Sequence, residues 1–497
     1  MLRVTFSRTQ IALISAMLPV LFLLQGCSGS MSTAAVQSNQ TTSTTTTALS
    51  PSTASIQAWQ ELQFTVSGDG AGEQCTWQSS QPSVLTSLGS GQFQGGTAGT
   101  AQVSVNCGST TATATVTVTA QQASSPIQIT SGGTYSGNWT STDPNTAAVT
   151  IKTDEPVVLQ DSVISSKGPL ITVSGVNTGA NVTIQNVTGT ALDPGVAGDQ
   201  RGVFLTATQV TSLVVKNCSM IGASFGIKLG ATSPSTLDIT NNYASNLEDR
   251  ASDGQGGFLA TRPELGHFII LNGVSAPEGA DIAWNQVVQT IGQSSIEDVI
   301  NIYNSQGSVG HPISVHDNYM EGASSPAVTG HYTGTALITD GPGTGGSSPT
   351  AYVQFENNQV VATAGTGVGI AAGHDVSATG NRVVSCGMTS SGSWYAWGAN
   401  GVVIWNYYAS TQFYNNTITT TAGGMVGPNS NNVPAAYDLW VNPPDKLDAG
   451  VSASGNEFTD PCLTTAGVNL QAEDNERTFW SSKIAAASEL IGDQHLN

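Results

Sequence analysis

Positive charge is what this chain has least of. Only 13 of its 497 residues are Lys or Arg, against 33 Asp or Glu, giving a formal net charge of −20. That balance excludes nucleic acid and anionic lipid headgroups as partners, because both are recognised through a basic footprint. It also disfavours a strongly polyanionic sugar unless a cation bridges the contact. No lysine occurs between Lys228 and Lys446, and Arg250, Arg262 and Arg382 are the only cations in that span. Charged residues make up 9% of the chain, so the usual helix formers Lys and Glu are scarce while glycine reaches 56. With Ser, Thr, Asn and Val dominant, the composition reads all-β. No Cys-x-x-Cys or Cys/His spacing suggests a zinc or redox centre.

The N-terminus predicts export. Arg3 and Arg8 precede an apolar run from Ile11 to Leu24, which ends in Leu24-Gln25-Gly26-Cys27-Ser28. So short a run at this position fits a signal peptide better than a cytosolic helix. Its ending resembles a bacterial lipobox, which implies a signal of residues 1–27 and lipidation of Cys27. Ser28, where an Asp would retain the protein at the inner membrane, implies the outer membrane or cell surface of a bacterial envelope. Residues 28–48 are a Ser/Thr tether too polar to fold alone.

Residues 49–121 hold short alternating strands with turns at about ten-residue spacing, the pattern of a small β-sandwich. "FTVSG", "CTWQSSQPSVLT", "GTAGTAQVSV" and "TATVTVTA" make it resemble bacterial Ig-like domains of the BIG2 type, which act as spacers or adhesive modules. In an oxidising compartment Cys75 and Cys107 are expected to pair, replacing apolar packing across the two sheets. Cys386 and Cys462 could pair or remain thiols. Cys218 is expected as a small buried apolar group.

From residue 125 to 470 an imperfect repeat takes over, marked by Asn186, Asn217, Asn242, Asn285, Asn318, Asn358, Asn381, Asn416 and Asn456. The shortest spacings, 23 and 25, set the unit, and the longest, 43, adds a loop to it. A unit this short cannot bury its own apolar face and must stack on copies of itself. Recurrent Asn is expected at tight turns, where its amide ladders between coils and its backbone tolerates the left-handed region. The pattern resembles the right-handed parallel β-helix, or pectate-lyase-like, superfamily, with about ten coils. That resemblance implies the fold but not the chemistry, since the fold hosts lyases, hydrolases, esterases and binding proteins. Residues 471–497, with Trp480, Ile484 and Leu490 at helical spacing, are expected to form a helical cap on the last coil or a tail.

Between His267 and Asp375 lie five of the six histidines and nine carboxylates, with no Lys or Arg. Stacking "HFIILN", "DVINIYN", "TALITDG", "GVGIAAG" and "GVVIWNY" places His267 over Asp298, with Glu297 adjacent. At the other strand end it forms a column of Asn272, Tyr303, Asp340, Ala372 and Asn406, with His374 and Asp375 in the turn beyond. Two carboxylates about 5–10 Å apart can flank a glycosidic bond. Asp340, His374 and Asp375 are therefore the first catalytic candidates, and His267, Glu297 and Asp298 the second. Asp281, Asp317 and Glu356 are expected to cap backbone groups instead. Eight aromatics fall between Trp394 and Tyr414, and Trp394, Trp397, Trp405 and Tyr407 are candidates for stacking on sugar rings. Arg262 is the cation placed to touch substrate. Uronate lyases of the resembled superfamily use a Lys or Arg base with calcium, which the scarcity of cations argues against. No cofactor is required, although calcium could be held by carboxylates such as Glu248, Asp249 and Asp253. The expected protein is a monomeric, lipid-anchored, polysaccharide-cleaving β-helix. A non-catalytic glycan-binding adhesin and a polysaccharide lyase are the alternatives.

Overall fold

The computed structural model describes residues 46–71, 74–324, 333–341, 350–395, 400–442 and 450–493. The signal segment with Cys27, nearly all of the tether, His331 and Trp397 lie outside them.

The first folded stretch is a small sandwich. A four-stranded sheet runs in the order Thr53–Gln57, Thr110–Thr119, Gly99–Cys107, Cys75–Ser79, and a three-stranded sheet joins Glu61–Gln63, Gln92–Gly95 and Leu85–Gly89. Alternation along these strands turns Phe64, Leu85, Phe93, Val103, Val105 and Val116 inward. Cys75 and Cys107 are bonded, but they sit directly opposite one another on adjacent strands of the same sheet. The disulfide therefore ties two neighbours within one sheet and does not replace packing between sheets.

The remainder is an all-β stack of parallel strands, a parallel β-helix. Among the described residues one sheet has 11 strands, all parallel, and a second has 21. Each central coil contributes one strand to the first sheet and two to the second. In one such coil these are His267–Asn272, Ala280–Ala283 and Gln286–Val288. Inward residues form columns along the stack. One passes through Leu205, Ile227, Ile269, Ile300, Leu337, Val368 and Val402, each in register with the next and each fully buried. Near-continuous Val, Ile and Leu is what a strand buried in a parallel stack requires.

The asparagine repeat divides its work between two positions. The residue before the marker takes the left-handed turn, as at Asn241, Trp284, Asp317 and Asn357. The marker itself is buried and bonds to its neighbours along the stack. Asn242 Nδ2 donates to Asn285 Oδ1 at 2.9 Å, Asn285 to Asn318 at 2.9 Å, Asn318 to Asn358 at 2.9 Å and Asn358 to Asn381 at 3.0 Å. At Asn186 and Asn217 the marker is the left-handed residue, so Cys218 occupies the next rung. Its backbone N–H donates to Asn242 Oδ1 at 3.0 Å, and its thiol reaches the Ile184 carbonyl at 3.7 Å as the asparagine amides reach theirs.

The C-terminal helix, Gln471–Ala487, does not cap the last coil. It lies along the side of the stack and runs back across earlier coils. The Glu473 carboxylate accepts the Cys386 N–H, Glu476 accepts from Gln359 and pairs with Arg382, and Trp480 Nε1 donates to Gln286. Beyond the helix, Asn241 donates to Glu489, and the Asp493 N–H donates to Ser219. The reason is metric: a helical turn rises about 5.4 Å and a coil about 4.8 Å, so one turn meets one coil. Trp480 is buried, whereas Leu490 is past the helix end and exposed. Cys386 and Cys462 are joined, anchoring the chain just before this helix.

Candidate functional site

The outer face of the 11-stranded sheet carries the charged groups. His267 pairs with Asp298, Asn272 with Tyr303 and Tyr303 with Asp340. Further along, the register differs from expectation by one residue. Thr339 pairs with Ile370 and Ile370 with Ile404, so Asp340 is level with Ala371 and Trp405, not with Ala372 and Asn406. That slip matters, because a one-residue shift moves a side chain to the opposite face. It brings Trp405 outward onto the face that holds Asp340.

At the start of the same strands regular alternation breaks. Phe268 and Ile269 are both in the core, as are Val299 and Ile300. The break frees the residue before each pair from the inward face. Asp298 can thus accept a hydrogen bond from Asn301 Nδ2 at 2.8 Å, although residues three apart in a straight strand face opposite sides. His267 Nε2 lies 3.5 Å from Glu297 Oε2, and His267 Nδ1 lies 3.6 Å from Asp298 Oδ2. The loop inserted between Asn242 and Asn285 covers this group. Within it Arg262 pairs with Asp249, whose carboxylate also accepts the Gly266 N–H at 2.9 Å. The Glu297 N–H donates back to the Gly266 carbonyl at 2.9 Å.

Covering has electrostatic consequences. Burial pushes the Glu297 and Asp298 carboxyls up, with the Asp298 charge adding to the first and the Asp340 charge to the second. Burial pushes the His267 imidazole down to about 3, only partly offset by the Asp298 backbone. One donor atom each from His267, Glu297 and Asp298 lie within 4.8 Å of one another, so this trio could hold a cation.

A row of rings approaches from the other side. Trp440 stands 5.0 Å from Trp405, Trp405 4.6 Å from Tyr407, and Tyr407 4.9 Å from Tyr408, between centroids. The Tyr408 hydroxyl donates to Asp340, which also accepts the Gly341 N–H at 2.8 Å. Trp440 and Tyr407 are 43% and 41% exposed, and Trp405 is half-buried.

The remaining candidates are placed elsewhere. His374 and Asp375 are not in a turn beyond Asp340 but begin the strand His374–Thr379 of the 21-stranded sheet. There they bond to each other at 2.7 Å, His374 stacks on Tyr414 at 4.6 Å, and Asn415 donates to Asp375. Trp394 packs, partly buried, against the cluster containing the Cys386–Cys462 bond. Glu248, Asp249 and Asp253 do not assemble as a calcium cage. Glu248 pairs with Arg250, Asp249 with Arg262, and Asp253 accepts backbone N–H groups of Gln255 and Gly257. The partners of Asp281 and Asp317 are side chains and not the backbone groups expected: both grip His316, at 3.0 and 2.8 Å. Sequence reasoning missed Asn301, Tyr408 and Trp440 as site residues. Trp440 was within reach, since "LWVN" lies one coil after "VVIW", with Trp440 level with Val403.

No family model matches this chain, and no curated relative matches it.

Proposed function

We propose that this protein is a polysaccharide-cleaving β-helix of the bacterial envelope, exported and lipid-anchored through Cys27 behind its tether and sandwich domain. The glycan lies along the outer face of the 11-stranded sheet. The observation that carries this reading is the continuous row from Trp440 through Trp405 and Tyr407 to Tyr408, ending on Asp340. Aromatic faces present broad apolar area with polar tips, which suits stacking on the C–H faces of sugar rings. Asp340 is the carboxylate the chain meets at the end of that row. Glu297 and Asp298 form the second acidic group, one coil earlier and at the other end of the strand, where Asp298 is level with Thr335. Five residues of strand rise separate the two groups by about 15 Å, so they mark two ends of one groove and do not flank a single bond. Elimination on a uronate is disfavoured, because Lys228, Arg250 and Arg262 beside the site each sit in an ion pair with a carboxylate.

The test is incubation of the full chain with neutral and acidic polysaccharides, following reducing ends and absorbance at 235 nm together. New reducing ends without absorbance at 235 nm are expected on a neutral glycan. Absorbance at 235 nm would make it a lyase. Binding without cleavage would make it an adhesin, and neither binding nor cleavage across the panel ends the reading.

A further inference from the structure

We infer that His267, Glu297 and Asp298 form a binding site for one divalent first-row transition ion of the zinc or manganese class. The two carboxylates alone would not support this. The imidazole between them does, because its side chain is 3% exposed, it stands 3.5 Å from Glu297 and 3.6 Å from Asp298, and it hydrogen-bonds neither carboxylate. Nδ1 is buried without any hydrogen-bond partner. A buried imidazole nitrogen left this way carries a desolvation cost that a partner would relieve.

A second unpartnered acceptor is on the same strand. Asn301 donates its amide N–H to Asp298 Oδ2 while its own buried Oδ1 has no partner. Two lone-pair donors without hydrogens to accept, beside two carboxylates, call for a cation rather than another hydrogen bond. The spacing agrees. Donors on opposite sides of an ion with bonds of about 2.0–2.3 Å stand roughly 4–4.6 Å apart, and adjacent ones about 3.3 Å. Here one atom from each residue falls within 4.8 Å of the others.

The donor set selects the ion. Calcium and magnesium take oxygen ligands, whereas an imidazole nitrogen beside two carboxylates suits zinc, manganese or iron. Asn301, holding Asp298 by its amide, orients a ligand in the way outer-shell partners of metal sites do. Three protein ligands leave further positions on such an ion for water or a substrate oxygen. Ligation assigns Glu297 and Asp298 to holding the cation and leaves Asp340 as the carboxylate facing the aromatic row.

The inference does not depend on the glycan reading, because occupancy is measured with no sugar present. The full chain is stripped with chelator, dialysed, and titrated separately with zinc, manganese and calcium by calorimetry, with metal content read by mass spectrometry. One equivalent of zinc or manganese is expected, with a rise in Tm that chelator reverses. H267Q, E297Q and D298N should each bind at least about tenfold more weakly, the lower bound for disturbing a metal's ligand shells. H311Q, a histidine outside the trio, should bind as the parent does. Glu297 is partly exposed, so E297Q keeps the test open if D298N fails to fold. No stoichiometric ion in the parent, or one retained by both H267Q and E297Q, overturns the site. Calcium binding more tightly than zinc and manganese overturns the assignment of the ion. Metal binding without glycan cleavage sinks only the proposed function.

Discussion

The Tyr408 hydroxyl donates to Asp340 from two coils further along the stack. That bond joins the aromatic row to the carboxylate it leads to, and holds the Asp340 side chain toward the sheet's outer face. A hydrogen bond to an ionised group is worth about 1.5–3 kcal/mol. Y408F is expected to lower glycan cleavage about tenfold or more while moving Tm by only a few degrees. D340N should abolish cleavage and leave glycan binding intact. Cleavage by D340N at the parental rate would remove Asp340 from the chemistry.

Two tryptophans close in sequence, Trp394 and Trp405, should separate cleanly. W405A removes a ring between Trp440 and Tyr407, and one stacked ring contributes about 0.5–1.5 kcal/mol. Glycan affinity should therefore fall two- to tenfold with little change in Tm. W394A instead takes a ring from the packing around Cys386 and Cys462, so it should lower Tm and spare affinity. Calorimetric titration with an oligosaccharide and a thermal melt of each variant decide it. The reverse pattern would put the sugar over the 394 loop.

What the sequence made legible follows from what repeats. The apolar columns and the asparagine rungs recur coil after coil, so parallel stacking and the pairing of His267 with Asp298 could be read from spacing. A single departure from the repeat was not legible. The residue lost between Asp340 and Val368 shifts the next coils by one, and with them the neighbours of Asp340. Glu297 and His267 depend on an inserted loop whose Arg262–Asp249 pair is 13 residues apart in sequence and arbitrary in pattern. The helix was visible by its period, but the face it covers depends on matching helix pitch to coil spacing in three dimensions.

Cys218 stands at the end of the asparagine ladder, where its backbone N–H reaches the next rung and its thiol makes only the carbonyl contact that an asparagine amide makes there. Sulfur is a weak donor and acceptor. C218N should extend the ladder by one rung and raise Tm. N318A should do the opposite, leaving the Asn285 amide without its acceptor and the Asn318 N–H bond to Asn358 without its side-chain support. Each buried polar group so orphaned costs about 1–3 kcal/mol. Thermal melts of the two variants, read against the parent, must diverge in sign for the ladder to be a stabilising element.

His316 should set an alkaline limit to stability. Bonds from Asp281 and then Asp317 raise its pKa to about 9, and Lys483 from the helix is the cation facing Asp317. A pKa raised above the unfolded value of about 6.5 stabilises the fold fully below that pH and loses the contribution as pH climbs through 9. The parent should therefore be more stable than H316Q at pH 6 and converge on it by about pH 10. Tm values for both proteins across that range test the sign, and a constant difference would mean the imidazole is not the titrating group.

Trp480 fixes the helix to the stack. Its ring stacks on Tyr319 at 5.3 Å and on Trp284 at 6.1 Å, and its indole N–H donates to Gln286 at 2.9 Å. Those three partners belong to two successive coils, so one side chain is shared between two layers. Removing a buried Trp costs about 3–5 kcal/mol, and W480A should reach that range in denaturant unfolding. L490A, at a side chain 60% exposed, should cost less than about 0.5 kcal/mol, as surface substitutions do. Near-equal costs for the two would show that the helix rests on the stack without being part of its cooperative unit. A large W480A cost with one unfolding transition would show that helix and coils unfold together, as a helix bound turn by turn to successive coils requires.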